Sequence, residues 1–389
     1  MCVKRANPHS AHIRNPEQPS PRNNSDRGRR IHIRRVAAGY LLAAAGPAGY
    51  NICMPEREFD EIDAHLLNVL QREFPLVMRP FDAIAEALGI APAEVIERVA
   101  RLKREGVVRQ IGAIFDSAAL GYVSALVAFR VNPDKLDGVA ETVAGLEGVS
   151  HCYARDAYYN LWFTLTLPPG SDLEAEVAAL AALDGVQSQL TLPALKVYKI
   201  GVFLDVAGEA TNRENANRRR RETEYLAPES QLRGPLSDLD RAAIRALQRD
   251  LPIVESPFAD LAREAGMPQE ELLARAAAFL TSGTMRRYAA VLRHRRAGYR
   301  ANAMICWQVT PDRIDQAGEA LARSPVVSHC YRRPSFSDWP YSLYAMVHCR
   351  TEAELKRAIC DLAASANLTA FRVLRSVKEY KKSRIAYFE

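Results

Sequence analysis

The chain has 389 residues, 48% of them hydrophobic and 25% charged, which is enough for two or three domains with cores of their own. Its net charge of +6 arises at one end: residues 1–53 carry nine Lys/Arg and two Asp/Glu, and the rest carries 43 and 44. The folded part therefore lacks the broad basic surface that a nucleic-acid backbone demands. No apolar run reaches the roughly 20 residues that span a bilayer, which argues against a membrane protein.

The N-terminal stretch resembles a targeting segment only superficially. Residues 34–53 place an apolar run after a basic flank, but Gly and Pro interrupt it and the preceding thirty residues are polar and unpatterned. Helical patterning begins abruptly after Met54. We therefore expect residues 1–55 to be a disordered basic extension, with either Met1 or Met54 as the translation start.

An internal duplication is the most informative property of the sequence. LQREFPLVMRPFDAIAEALGI (70–90) aligns with LQRDLPIVESPFADLAREAGM (247–267) at an offset of 177, and the pentapeptide VSHCY occurs at 149–153 and again at 327–331. Residues 206–234, between the halves, are polar, charged and without periodicity, which predicts a flexible linker.

Each half begins with a helical region. Apolar residues recur at helical spacing, as at Val95, Val99 and Leu102, and Gly89 and Gly106 are placed to end helices. Three short helices with a tight turn indicate a helix-turn-helix. In the first half the predicted helices are 60–71, 80–88 and 92–105.

The second part of each half alternates in the order βαββαβ, which predicts a four-stranded antiparallel sheet with both helices on one face. The first half has predicted strands 123–131, 149–156, 159–167 and one within 187–200, with helices 134–146 and 172–183. The second half has 301–309, 312–323, 326–333, 342–349, 352–364 and 369–380. The fold class is α+β, a tandem duplication of a helix-turn-helix domain and a ferredoxin-like domain. Their predicted bounds are 56–112 and 113–205, then 235–289 and 290–389.

A helix-turn-helix followed by βαββαβ resembles the Lrp/AsnC transcription regulators, over nearly all of residues 57–389. This resemblance implies a winged-helix-like domain and one possible function, DNA-binding regulation, with a heme-sensing regulator as a variant. The residues argue against DNA as the partner. The would-be recognition helices place Glu94, Glu97, Glu270 and Glu271 where phosphates would approach, and lack a clear set of Asn, Gln or Arg for reading base edges.

The sheet regions resemble the siroheme decarboxylases, Lrp-like proteins found in two-subunit or fused forms. RDAYYNLWFTL (155–165) and HCYRRPSFSDWPYSLYAMVH (329–348) carry this resemblance. VRQIGAIFDSAALGY (108–122) is similar to the first subunit and GTMRRYAAVLRHRRAGYRANAM (283–304) to the second, so the chain resembles the fused form. One position departs from the first-subunit pattern, where a histidine is replaced by Ala157.

Alternate residues of a strand share a face, so each VSHCY copy projects a row of His, Tyr and the following Arg. The opposite face carries the small residues Ser150, Cys152 and Ala154, suited to packing beneath helices. A polar row is costly to bury unpaired. It is either a satisfied network at an interface or the lining of a ligand cleft, and its duplication beside aromatic-rich strands favours the cleft.

The resemblance implies siroheme as the partner and loss of carbon dioxide from its acetates at positions 12 and 18, giving 12,18-didecarboxysiroheme for heme or heme d1 biosynthesis. Histidine suits the proton transfer, because its pKa lies near operating pH. The predicted catalytic residues are His151, His329, Tyr153 and Tyr331. A flat macrocycle with eight carboxylates calls for aromatic faces and Arg donors. The predicted substrate-binding residues are Arg155, Arg286, Arg287, His294, Arg295, Arg332, Arg333, Trp339 and Tyr341, with Tyr344 and Lys378 as further candidates.

Several alternatives stay open. The arginine cluster at 286–296 also fits a solvated edge or a nucleic-acid contact, and His348 fits a satisfied sheet histidine. The seven cysteines form no CxxC pair, which favours buried thiols in a reducing cytoplasm. No zinc-site spacing, phosphate loop or GxSxG occurs, so we expect no cofactor and no metal besides the iron of the substrate. We expect the halves to form an internal pseudo-dimer, and a homodimer of whole chains is not excluded.

Overall fold

The computed structural model describes residues 59–72, 74–208 and 236–389. The predictions for residues 1–55, the start at Met54 and most of the linker lie outside these ranges. The first half contains α1 (Glu61–Arg72), α2 (Pro80–Leu88), α3 (Pro92–Arg104), β1 (Val108–Phe115), β2 (Val123–Val131), α4 (Leu136–Gly145), β3 (Val149–Arg155), β4 (Leu161–Leu167), α5 (Leu173–Ala181), β5 (Val186–Pro193) and β6 (Lys196–Ile200). The second contains α6 (Asp238–Leu247), α7 (Pro257–Glu264), α8 (Gln269–Thr281), β7 (Met285–Leu292), β8 (Ala301–Trp307), α9 (Ile314–Ala322), β9 (Val327–Arg332), β10 (Leu343–Cys349), α10 (Glu352–Ser365), β11 (Phe371–Leu374) and β12 (Ser376–Lys382).

The three helices at the start of each half form where the sequence pattern predicts them. Pro80 and Pro92 stand in the first turns of α2 and α3, where a missing N–H costs little. Gly89 ends α2 with φ 69°, a left-handed conformation that glycine adopts without penalty. None of the helices in the described ranges is long and apolar enough to cross a membrane.

A two-stranded ribbon, which the sequence analysis did not identify, joins the two helical regions. It pairs β1 with β7 in antiparallel fashion. The helices of both halves share one apolar core around it, in which the Phe74 and Phe258 rings meet edge-on with centroids 6.4 Å apart. The Phe74 N–H also donates to the Tyr288 carbonyl at 3.2 Å. The helical regions are therefore one packed body rather than two separate heads.

The sheets differ from the predicted four-stranded ones, because each has five strands and one of them belongs to the other half. Their strand orders are β12-β3-β4-β2-β5 and β11-β8-β10-β9-β6. The final strand expected in each half is divided in two. In the first half Pro193, which has no N–H for a further ladder bond, closes β5, and β6 then crosses to pair with β9. In the second half β12 crosses to pair with β3.

Helices cover one face of each sheet, and the two remaining faces pack against each other. On the covered side Cys152 lies against the Ala140 carbonyl of α4 (3.8 Å), and Cys330 against Gly318 of α9 (3.7 Å). The helix-free faces share a core of residues from both halves: Ala128, Tyr159, Trp162, Leu190, Leu192, Met304, Cys306, Trp339, Tyr344 and Leu374. The predicted pairing of the halves is thus a face-to-face sheet contact.

After its crossing strand, each half sends a tail back to its own first helix. The Leu204 N–H donates to Gln71 Oε1 at 3.0 Å, and the Tyr387 N–H donates to Gln248 Oε1 at 2.9 Å. The two glutamines occupy equivalent positions of the repeat, 177 residues apart. Each half therefore sends one strand into the sheet of the other half, and the segment after that strand returns to its own half.

If a specific protease site is placed between residues 209 and 235 and cut, we expect both fragments to elute together at the size of the intact chain. Each sheet contains a strand of the other half, so separating the fragments would break two β ladders and the shared cores. Size-exclusion chromatography with mass spectrometry of the peak tests this. Two separate peaks in native buffer would contradict the strand exchange, and co-elution that ends in denaturant supports it.

Candidate active site

The two rows predicted from VSHCY lie along the helix-free faces. In the first row the His151 and Tyr153 ring centroids are 6.2 Å apart, and the Arg155 guanidinium is 5.5 Å from the Tyr153 centroid. In the second row, residues 329, 331 and 333 give corresponding distances of 6.1 and 4.8 Å. Strand alternation therefore places these side chains as expected.

Both strands carry a β-bulge at the serine of VSHCY, which strict alternation could not anticipate. The pairing register of β3 with β4 shifts between Val149 and His151, and that of β9 with β10 shifts at Ser328. A bulge re-aims a side chain. Ser150 Oγ consequently lies 2.9 Å from His151 Nδ1, and Ser328 Oγ lies 2.9 Å from His329 Nδ1. The expectation that Ser150 would only pack beneath helices is corrected.

Two further histidines and a lysine join the second row. His348 Nε2 lies 3.0 Å from the same Ser328 Oγ, and the His348 and His294 ring centroids are 5.8 Å apart. His294 in turn contacts Asn302 Nδ2 through Nε2 and Lys382 Nζ through Nδ1, both at 3.2 Å. Lys382 is also the β12 partner of His151. The exchanged strand β12 thereby connects the two rows.

Positive charge accumulates around these histidines. Burial is the main cause of each depressed pKa, which is about 4 for His151 and His348 and about 3 for His294 and His329. Neighbouring cations lower each pKa further. We call this group the histidine–arginine cluster, and its members are His151, His294, His329, His348, Lys382, Arg109, Arg286 and Arg287.

The cations of the cluster are themselves destabilised. Burial lowers the pKa of Arg287 and of Lys382, and it lowers that of nearby Arg384 to about 10. Asp116 compensates part of the charge, because its Oδ2 binds Arg286 Nη2 at 2.6 Å. Buried cations of one sign are costly unless an anion joins them. The cluster therefore has the electrostatics of a site for an anionic ligand.

Arg155 and Arg333 brace the contact between the sheets in a reciprocal way. Arg155 donates to the Leu374 carbonyl at 3.1 Å, and Arg333 donates to the Leu192 carbonyl. Each arginine thus binds an edge strand of the opposite sheet. Their Nε atoms are buried and have no hydrogen-bond partner in the described part of the chain. Burial also lowers the pKa of Arg155 to about 10.

Some predicted substrate-binding residues lie elsewhere. Arg332 alternates with Arg333 and therefore points to the helix side, where its charge acts on Asp315 of α9. Lys378 also lies on the helix side and forms an ion pair with Asp137 of α4 at 2.8 Å. Arg295 is exposed in the turn after β7, beside His294 and Lys382.

Trp339 is enclosed rather than open to a ligand. It is 2% exposed, and its ring meets Tyr159, Trp162 and Tyr341 at centroid distances of 5.6, 5.5 and 4.8 Å. Its indole N–H donates to the Tyr344 hydroxyl at 2.7 Å. Trp339 and Tyr344 thus belong to the inter-sheet core, with half-buried Tyr341 at its margin.

Sequence reasoning missed several members of this site. Lys382 and Arg109 arrive from β12 and β1, strands whose partners lie in the other half, so no local pattern marks them. Ser150 and Ser328 had a visible signal, since both occur in the duplicated VSHCY. No signal in the sequence marked Asn302 as a member of the site. Among the described residues, no group of three or more His, Cys, Asp or Glu is arranged to hold a metal ion.

The fold and site define a class: two AsnC-like sheets packed face to face, with a basic cluster beside the ribbon that joins the helical regions. The family model for the AsnC-like ligand binding domain matches residues 119–199 and 296–381. The model for the siroheme decarboxylase NirDL-like HTH domain matches 63–109 and 240–286. Together these matches cover both halves in the same order.

Comparison with related proteins identifies the family within this class. The siroheme decarboxylase of Hydrogenobacter thermophilus is 38% identical over 332 residues, which is 85% of this chain and 95% of the relative. A crystal structure of the siroheme decarboxylase NirDL with an iron-uroporphyrin III analogue superposes with a TM-score of 0.63 and 33% identity, covering 85% of this chain and 95% of that one. The alpha and beta subunits of the Desulfovibrio desulfuricans siroheme decarboxylase each match under two fifths of the chain at 40% identity, covering 83% and 94% of the subunits themselves. The chain belongs to the siroheme decarboxylase family, in its fused form.

The depressed histidine pKa values predict that the ligand-free protein loses stability as the pH falls from 7 to 5. Unfolded histidine binds a proton near pH 6.5, whereas the cluster histidines do so only near pH 3 to 4. The unfolded state therefore binds more protons in this window, and acidification favours unfolding. We expect the melting temperature to fall by about 5 °C or more, measured by calorimetry.

The matched control is His348→Thr, since threonine occupies the corresponding strand position, Thr166, in the first half. Removing one depressed histidine should make the decline with pH shallower. A melting temperature that is constant or rises between pH 7 and 5 would contradict the buried, neutral state of these histidines.

Proposed function

We propose that this chain is a siroheme decarboxylase, a carbon–carbon lyase that removes carbon dioxide from the acetates at positions 12 and 18 of siroheme. The observation that carries the proposal is the histidine–arginine cluster, in which partly buried cations of both halves, from the β1–β7 ribbon and from β12, surround neutral histidines of the two sheets. A ligand with many carboxylates relieves that repulsion, and siroheme has eight.

Binding follows from charge and shape. Burial lowers the pKa of Arg287 and of Lys382 in the ligand-free chain, so ion pairing with rim carboxylates would offset the cost of burying these cations. Arg286 keeps Asp116 as a partner and would share its guanidinium with the ligand. Arginine offers paired N–H donors that match a carboxylate. The Nε–H groups of Arg155 and Arg333 remain available for the same purpose.

The reaction needs an electron sink and a proton. When the bond between the acetate methylene and its carboxylate breaks, the electron pair passes to the methylene carbon and into the macrocycle, and carbon dioxide leaves. A proton must then join that carbon to form a methyl group. We assign this transfer to His151 and His329, and the contact of each Nδ1 with a serine supports the assignment because it leaves Nε2 for the substrate.

The tyrosines and arginines have different roles in the proposal. Burial raises the pKa of Tyr153 and of Tyr331, so both hydroxyls stay protonated. The Tyr153 hydroxyl is bound to Glu379 of β12, and that of Tyr331 can donate a hydrogen bond to the substrate. The arginines hold carboxylates that do not react. A tight ion pair to a departing carboxylate would stabilise the ground state and slow the step.

The alternative, a DNA-binding or heme-sensing regulator, finds less support in the helices. Arg98 and Arg101 of α3 are engaged by Asp63, and Arg275 of α8 is engaged by Asp240 and Glu271. These guanidinium groups are therefore already paired where phosphate contacts would be needed. A heme sensor would bind the tetrapyrrole without changing it, which the turnover experiment below distinguishes.

The remaining parts of the proposal concern context. Iron enters with the substrate, and we assign no separate cofactor. Cys152, Cys306, Cys330, Cys349 and Cys360 are free thiols, which fits a cytoplasmic enzyme. The product serves heme or heme d1 biosynthesis. The two halves act as a pseudo-dimer, and whole chains could pair further.

Incubation with siroheme should yield a product lighter by two carbon dioxide units, detected by mass spectrometry under anaerobic conditions. His151→Ala and His329→Ala should each lower turnover on the order of 10²-fold, the usual scale for a lost acid–base group. Lys378→Ala, on the helix side, is the control and should retain activity. Siroheme that binds with an absorption change but keeps its mass would instead favour a sensor.

A further inference from the structure

In the second half, the Ser328 hydroxyl links two histidines. We call Ser328, His329 and His348 the polar arm. Ser328 Oγ lies 2.9 Å from His329 Nδ1 and 3.0 Å from His348 Nε2, with a longer contact of 3.3 Å to the Met346 carbonyl. The hydroxyl has one proton, which we assign to the shorter bond, to His329. His348 Nε2–H then donates to Ser328. The β-bulge at Ser328 is what brings both rings to one oxygen.

The first half has the equivalent β-bulge at Ser150 and the equivalent candidate catalytic residue, His151, but no counterpart of His348. Ser150 binds His151 in the same way. At the strand position of His348, however, stands Thr166, whose hydroxyl is bound to Ser124 at 2.9 Å. Register confirms the correspondence, because Thr166 pairs with Ser124 as His348 pairs with Asn302. His151 therefore has a serine but no second histidine behind it.

We propose that His348 is a positioning residue which acts through Ser328 to fix the tautomer of His329 and to resupply its proton. This inference rests on the proposed function and deepens it. The second half then has a route that resupplies the proton of its histidine, and the first half lacks this route. His348 touches neither the substrate nor the reacting carbon in this scheme.

Every proton in the proposed step can be accounted for. Loss of carbon dioxide leaves an electron pair on the methylene carbon, and His329 Nε2 gives its proton to that carbon. His329 Nδ1 takes the Ser328 proton, and Ser328 takes the Nε2 proton of His348. The Nδ1 atom of His348 is buried without a hydrogen-bond partner in the described ranges, so it can accept the replacing proton, which solvent water supplies when the product leaves. No oxidant or reductant is consumed.

The titratable and charged groups near the polar arm come from several strands. They are His294 after β7, Arg286 and Arg287 on β7, His151 on β3, and Lys382 on β12. These groups are basic, and Asp116 on Arg286 and Glu379 near Lys382 offset only part of their charge, so together they favour the neutral, proton-relaying form of His348 over the imidazolium form. Substrate carboxylates would reverse part of that bias, and proton uptake should accordingly accompany binding.

The test uses the full chain and siroheme. Ser328→Ala and His348→Thr should lower kcat about 10- to 100-fold while the Kd for siroheme, from absorption titration, changes less than about threefold. In His348→Thr, kcat should rise with imidazole concentration at fixed pH and ionic strength, whereas the wild type should not respond. A purely structural role would not produce that rescue.

Two further variants make the result decisive. His348→Gln can donate a hydrogen bond to Ser328 but cannot relay a proton, so it should fold and bind like the wild type and remain slow. Thr166→Val, at the equivalent place in the first half, should stay within about twofold of the wild type. Full activity of Ser328→Ala and His348→Gln, or an equal loss in Thr166→Val, overturns the relay even if His329→Ala is inactive. Absence of carbon dioxide release by the wild type overturns the proposed function instead.

Discussion

The contact between the two helix-free sheet faces is the constraint on which the rest of the molecule depends. A ferredoxin-like sheet leaves one face uncovered, and an isolated half would expose residues such as Trp162 and Tyr344 to water. Duplication within one chain supplies the covering face at high effective concentration. The reciprocal contacts of Arg155 and Arg333 with opposite edge strands then fix how the faces meet. The histidine rows lie along those same faces, so the contacts that pack the two sheets also position the residues of the site.

The site also illustrates how two copies of one sequence diverge under a shared backbone. Both copies of VSHCY keep the bulge that turns serine toward histidine. The neighbours differ, since the first half places Thr166 and Ser124 where the second places His348 and Asn302. The first pair is a self-contained hydrogen bond, and the second opens onto His294 and Lys382. The backbone is thus symmetric, and the chemistry is not.

Much of this could be predicted from the sequence because it depends on local periodicity. Helical spacing located α1 to α3, and strand alternation placed His151 beside Tyr153. The exchange of β6 and β12 could not be predicted, because a strand's partner in the other half leaves no local trace. The same limit hid Lys382. The enclosure of Trp339 could not be predicted, because a sequence shows that a ring is present but not which rings surround it. The bulge at Ser328 breaks the very alternation on which the prediction relied.

The exchanged strand β12 has a consequence for the order in which the protein is made. The first sheet holds β3 at its edge until β12 arrives, and β12 is synthesised only after the other strands of the second half. During translation the first half therefore presents an unpaired strand edge, a state prone to mispairing. The same segment brings Lys382 to His151, so the histidine–arginine cluster is complete only after β12 has been synthesised and has paired with β3. A chain released early would carry most of the fold and an unfinished site.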